Sequence, residues 1–122
     1  MQTPNELLPD GLQMDLLWEN ASPTSEFDVQ TIYLDCTNYR LLYVVVAISK
    51  NSTSDMNMQM IEFDGKSHSF VFAYDYVLFR TITAYQDKKT IRISDGHRIN
   101  RLGSNPVSDN IMAIPYKIYG VK

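Results

Sequence analysis

Along most of the chain apolar and polar residues alternate with a period of two, the spacing at which successive side chains of an extended strand point to opposite faces of a sheet. Runs rich in β-branched and aromatic residues, with few blocks of Ala, Leu or Glu, predict strands over 13–18, 28–34, 40–49, 58–64, 69–74, 76–85, 90–94 and 110–119. About eight such strands divided by turn signals predict an all-β, single-domain antiparallel β-sandwich, jelly-roll-like in its connections. Asp64-Gly65 predicts a tight hairpin, because glycine accepts the positive φ such turns need, and the polar break Gln86-Asp87-Lys88-Lys89 predicts a second. Segments 50–57 and 95–109, the latter holding Gly96, Gly103, Asn105 and Pro106, are expected to be the long irregular loops. Residues 1–12 contain Pro4, Pro9 and Gly11 and show no periodicity, which predicts an N-terminal arm ahead of a sandwich domain over 13–122.

Two predicted strands depart from the alternation. Residues 41–48 are apolar on both faces, and 76–85 places Val77, Phe79 and Tyr85 opposite Leu78, Ile82 and Ala84. A half-exposed strand of a monomeric sandwich has one polar face. Both segments therefore predict cover on their second face, from a loop, the arm or another subunit, and a homo-oligomer is the simplest source.

Composition narrows the function classes. A hydrophobic share of 44% with 20% charged residues in 122 residues is ordinary for a folded domain with one core. Eleven basic side chains scattered among 14 acidic ones, for a net charge of -3, argue against a nucleic-acid partner. The longest apolar stretch, 41–48, is too short to insert in a membrane as a helix, and the first thirty residues show no secretory leader, so a soluble product made in a cytoplasm is expected. Cys36, the single cysteine, has no disulfide or CxxC partner and reads as a small buried hydrophobe.

Signals for catalysis are sparse. There is no GxSxG elbow, no glycine-rich phosphate loop, no HExxH and no EF-hand spacing, so neither a cofactor nor a metal is expected. His68, between Ser67 and Ser69, reads as an exposed polar residue beside a turn, and His97 as a loop residue. Asp75 lies between Tyr74 and Tyr76 and predicts a bulge or edge with a tyrosine hydroxyl or Arg80 as partner. Met56, Met58 and Met60 recur at strand period, placing three flexible thioethers on one face for core or subunit packing. The eight tyrosines combine apolar area with a hydroxyl, which suits interfaces, sugar recognition and sheet cores alike.

The chain carries Met14-Asp15-Leu16-Leu17-Trp18-Glu19-Asn20-Ala21-Ser22-Pro23-Thr24-Ser25-Glu26-Phe27, then Gln30-Thr31-Ile32-Tyr33-Leu34-Asp35 and Tyr39. It closes on Met112-Ala113-Ile114-Pro115-Tyr116-Lys117-Ile118-Tyr119-Gly120-Val121-Lys122. The two signatures, in this order, resemble small proteins and C-terminal tail-fibre domains encoded in the tail and lysis regions of phages and prophages of Gram-positive bacteria. The likeness spans nearly all of the chain beyond the arm, while 50–109 carries no shared motif. It implies a virion protein: a β-sandwich head of the kind found in tail-fibre, baseplate and receptor-binding proteins, with a trimer favoured, other phage tail proteins as partners and host cell-wall saccharide as a ligand. It carries across no catalytic or binding residue. Trp18, Pro23 and Phe27 match the signature, and physically they read as a corner, with Ser22-Pro23-Thr24-Ser25 turning the chain and the two rings packing on either side.

The function expected from all this is a non-enzymatic virion component, a host-surface adhesion or receptor-binding accessory. Its expected binding loop presents Asp95, His97, Arg98, Asn100 and Arg101, whose planar polar groups suit sugar hydroxyls. The alternative is a tail assembly protein that binds no receptor. A remote one is an enzyme degrading wall polysaccharide, which needs two carboxylates facing one cleft.

Overall fold

The computed structural model describes residues 13–74, 76–101 and 104–122, so the predicted arm at 1–12 and the reading of Asp75 lie outside the described residues. The strands run in the order β1 (Met14–Glu19), β2 (Gln30–Tyr33), β3 (Leu41–Ser49), β4 (Ser52–Ile61), β5 (Ser67–Ala73), β6 (Val77–Ala84), β7 (Thr90–Ile93), β8 (His97–Ile99), β9 (Val107–Ser108) and β10 (Met112–Val121). They form two antiparallel sheets, a four-stranded one in the order β1-β10-β3-β4 and a six-stranded one in the order β2-β7-β6-β8-β9, with β5 also paired to β6. This is the predicted all-β sandwich.

The alternation read from sequence is what packs the sheets together. Leu42, Val44 and Val46 of β3, Ile61 of β4 and Ile118 of β10 meet Ile32, Phe70, Phe72, Leu78, Ile82, Ile91 and Ile93 of the other sheet in one buried core. The predicted corner is present: Ser25 N–H donates to the Ser22 carbonyl at 3.0 Å, and the Trp18 and Phe27 rings meet edge to face at 6.0 Å.

Three expectations need correction. Residues 50–57 are not a loop, because β4 begins at Ser52 and pairs residue by residue with β3, Met56 opposite Ala47 and Met58 opposite Val45. Its Ser, Thr, Asn and Asp side chains favour turns locally, but the cross-strand ladder overrides that preference. Segment 95–109 likewise contains β8 and β9, which pair His97 with Ser108 and Arg98 with Val107. The Asp64-Gly65 turn exists, with Gly65 at φ 72°, yet it is no hairpin: it carries the chain from β4 in one sheet to β5 in the other. The turn at 86–89 is a hairpin between β6 and β7, held by the Asp87 carboxylate, which accepts the Lys89 and Thr90 N–H groups at 2.8 and 3.0 Å.

One edge of β6 pairs with β7 near its end and with β8 near its start, and between them Ser94-Asp95-Gly96 breaks the ladder. Arg80 fills that break. Its side chain is fully buried, and it donates from Nε to the Ala113 carbonyl (2.6 Å), from Nη1 to the carbonyls of Ser94 (2.6 Å) and Phe27 (2.9 Å), and from Nη2 to that of Met112 (3.1 Å). The guanidinium carbon also lies 5.3 Å from the centre of the Phe27 ring. Burial pulls the Arg80 pKa down to about 10, opposed by the nearby Asp95 and Asp28 charges, so the group remains a cation at neutral pH. Gly96 leaves the room it needs: a Cβ there would run into the Asp109 carbonyl oxygen and sit 2.8 Å from Arg80 Nη2.

Replacing Arg80 by Met would leave four carbonyl acceptors facing an apolar side chain. Urea unfolding of Arg80→Met is expected to show a loss on the order of 3–5 kcal/mol, while the exposed Arg101→Ala stays within experimental error of the parent.

Candidate functional site

The five residues expected to form a binding loop do not converge. Asp95 is a structural acceptor: its Oδ1 takes the Val29 N–H at 3.0 Å and the Asn110 amide at 3.1 Å, and these bonds hold its carboxyl below the usual carboxylate range. Asn110 in turn accepts the Gly96 N–H at 2.8 Å, so the cluster braces the break that Arg80 fills. His97 lies on β8 with its ring stacked on Phe79 at 5.0 Å and 13°, and its Nδ1 is buried without a hydrogen-bond partner among the described residues. Arg98 points the other way, pairing with Asp109 at 3.4 Å, and its Nε is buried and also lacks a partner among the described residues. Asn100 and Arg101 alone are exposed, at the end of β8 beside the start of β6.

The His97–Phe79 stack answers part of the cover expected for 76–85, since it lays a ring over the second face of β6 from within the same chain. The other doubly apolar strand is answered differently. On the outer face of the four-stranded sheet Val45 is buried in a cluster with Met14, Tyr119 and Val121, against which Leu41, Tyr43, Met56 and Tyr116 pack. The strand's own neighbours cover it, and the apolar exposure moves outward to Met58 (53% exposed), Met60 (41%) and Leu16 (39%).

Strand β4 makes this face unusual, because its polarity is inverted. Met56, Met58 and Met60 share the outer side with their partners Ala47, Val45 and Tyr43, whereas Asn57 and Gln59 lie opposite the core residues Val46 and Val44. A strand on a solvated sheet face carries its polar residues outward. Here the inward amides reach across to β5, Asn57 Nδ2 donating to the Val71 carbonyl at 3.0 Å and Gln59 Nε2 to that of Ser69 at 2.9 Å. Outside, a groove of about 350 Å³ runs over Val45 between Tyr43 and Met58 on one side and Tyr116 and Lys117 on the other. The period of the methionines was visible in the sequence; the inversion became legible only once β4 was paired.

The outer face of the six-stranded sheet has the opposite character. Register sets Tyr33 beside Thr90, and Thr31 beside Arg92 beside Thr83 beside Ser67. Tyr33 is 75% exposed and Tyr85 37%. Alternation already turned Thr31 and Tyr33 away from Ile32, and Thr90 and Arg92 away from Ile91, but the order of strands across the sheet was not in the pattern.

Among the described residues no three His, Cys, Asp or Glu side chains are grouped so as to hold a metal ion. His68 Nε2, on β5, lies 3.1 Å from Asp64 of the turn between β4 and β5. Cys36 is buried, and burial, reinforced by the Asp35 and Asp87 charges, pushes its thiol up to about 11. Comparison with known protein families, with curated proteins and with solved structures gives no match to this chain.

Two measurements follow from these environments. At pH 9.0, where an ordinary thiol is half ionised, DTNB is expected to leave native Cys36 unmodified and to react with it once the protein is unfolded. The lowered carboxyl of Asp95 contributes stability that is present above its ordinary value of 3.8 and lost as the pH falls through the folded-state value. Denaturation on either side of that pH should show a shallower acid limb in Asp95→Asn.

Proposed function

We propose that the protein is a non-enzymatic component of a phage tail, an adhesion or receptor-binding accessory that acts as a homo-oligomer whose subunits meet on the outer face of the four-stranded sheet. The observation that carries this reading is the inversion of β4, which turns three methionines outward onto a face already apolar with Tyr43, Tyr116 and Leu16. Burying such a face is worth about 25 cal/mol per Å² of apolar surface, and methionines adapt to an opposing surface better than branched side chains do.

A second copy suits the face on electrostatic grounds. The chain carries a net charge of -3, yet the cation on this face, Lys117, is matched by Glu19 at 3.9 Å. Two copies brought together here meet neutral on neutral, without the like-charge repulsion their other surfaces would impose. The tail origin draws its support from the two terminal signatures, which form β1, the corner after it, β2 and β10, of which β1 and β10 belong to this face.

Light scattering coupled to size-exclusion chromatography tests the proposal. The parent protein is expected to elute as a discrete oligomer, a trimer being favoured, and Met58→Glu with Met60→Glu as a monomer of unchanged circular dichroism. A parent that stays monomeric at the highest soluble concentration, or a double variant that assembles as before, removes this face as the subunit contact.

A further inference from the structure

Two exposed tyrosines on the six-stranded sheet stand in a fixed geometry about Thr90, whose hydroxyl donates to the Asp87 carboxylate at 2.7 Å. Tyr33 pairs with Thr90, and Tyr85 N–H donates to the Thr90 carbonyl at 3.0 Å, so the two tyrosines flank Thr90 in one row across β2, β7 and the end of β6. Neighbouring strands are about 4.8 Å apart, which sets the two rings about 10 Å apart at their backbones, the reach of roughly two consecutive sugar rings in an extended glycan. The adjoining row presents Thr31, Arg92, Thr83 and Ser67, all on the same face, with the Thr83 and Ser67 hydroxyls 3.3 Å apart.

Arg92 is the exposed charge of that row, and its guanidinium makes no hydrogen bond or ion pair with any described residue. An exposed guanidinium beside Thr31, with the Asp87 carboxylate occupied by Thr90 and its neighbouring backbone N–H groups, complements one anionic group of a ligand. A carboxylate fits a single guanidinium, accepting two parallel N–H bonds, whereas phosphate sites gather further cations or free backbone N–H groups. Protein partners favour an apolar centre, and this row has none.

We propose that this face binds an extended glycan bearing uronate groups, with sugar rings stacked on Tyr33 and Tyr85 and one carboxylate held by Arg92. The proposal deepens the adhesion reading by giving it a site and a ligand class, and it moves that site away from Asn100 and Arg101. The apolar C–H faces of the sugars lie on the tyrosine rings, the Thr31 hydroxyl meets a sugar hydroxyl, and Arg92 fixes the register of the chain.

Calorimetric titration with tetragalacturonate, and in parallel with the neutral cellotetraose, tests it. Tetragalacturonate is expected to bind, more weakly as salt is raised, with affinity falling about tenfold or more in Tyr33→Ala and in Arg92→Gln. Both positions are exposed, and unchanged melting curves confirm that each variant is folded. Equal affinity for cellotetraose overturns the role of Arg92, and wild-type binding by either variant overturns the site. Loss of binding in Asn100→Ala with Arg101→Ala, but not in Tyr33→Ala, keeps adhesion and discards this face. Absence of heat with both glycans, in a protein that still assembles, discards the glycan proposal and leaves the subunit contact standing. Retained binding in the Met58→Glu, Met60→Glu variant is expected, because the two faces lie on opposite sides of the sandwich.

Discussion

The guanidinium of Arg80 ties together segments that no strand pairing joins. Phe27 belongs to the corner leading into β2, Ser94 to the break between β7 and β8, and Met112 and Ala113 to the start of the last strand, and all four carbonyls converge on one side chain. Arginine suits this position because its fork presents five donors in one plane, where a lysine offers three from a single point. Burying a cation is costly, but here its donors meet carbonyl acceptors, while Asp95 and Asp28 supply opposite charge from close by. The break in the ladder, the glycine at 96 and the left-handed Ala113 (φ 51°) all fall where this cation needs space.

With the interior fixed in this way, the two outer faces are free to differ, and they do. One is built of methionine and tyrosine on β3, β4 and β10; the other carries threonine, serine, an arginine and two exposed tyrosines around β2 and β7, and Val71 and Phe79 toward β8. Both arise from period-two alternation, read outward from the same core. The polar rows are confined to the β2–β7 half of their face, because toward β8 the same face carries Val71 and the Phe79–His97 stack.

Much of the fold was legible because burial follows alternation. The inward positions Ile32, Ile91 and Ile93 alternate with polar neighbours in the sequence, whereas β3, apolar on both faces, left the choice of Leu42, Val44 and Val46 to its pairing. Ser52 to Asn57 was illegible for the converse reason: its side chains favour turns, and only the ladder with β3 makes it a strand. The sequence offers Arg80 only as a partner for Asp75, because its carbonyl partners lie 14 to 53 residues away in sequence and carbonyls leave no mark on composition. For the binding surfaces, polar residue types pointed to segment 95–101, but pairing with β6 draws Asp95, His97 and Arg98 into structural contacts. The row of Tyr33, Thr90 and Tyr85 depends on strand order, which a linear pattern does not encode.

The amides of Asn57 and Gln59 have a consequence for how copies of this molecule can grow on one another. Exposed edge strands are templates for further strands, and a sandwich with two open edges on the same side invites ribbons without end. Here the carbonyls of Ser69 and Val71 on the edge of β5 are occupied from within. Sideways polymerisation along that flank would have to displace both amides first, while contact through the flat face remains unobstructed. Closed, countable assemblies are thereby favoured over fibres, a distinction written in two side chains that point inward where an ordinary strand would have placed valines.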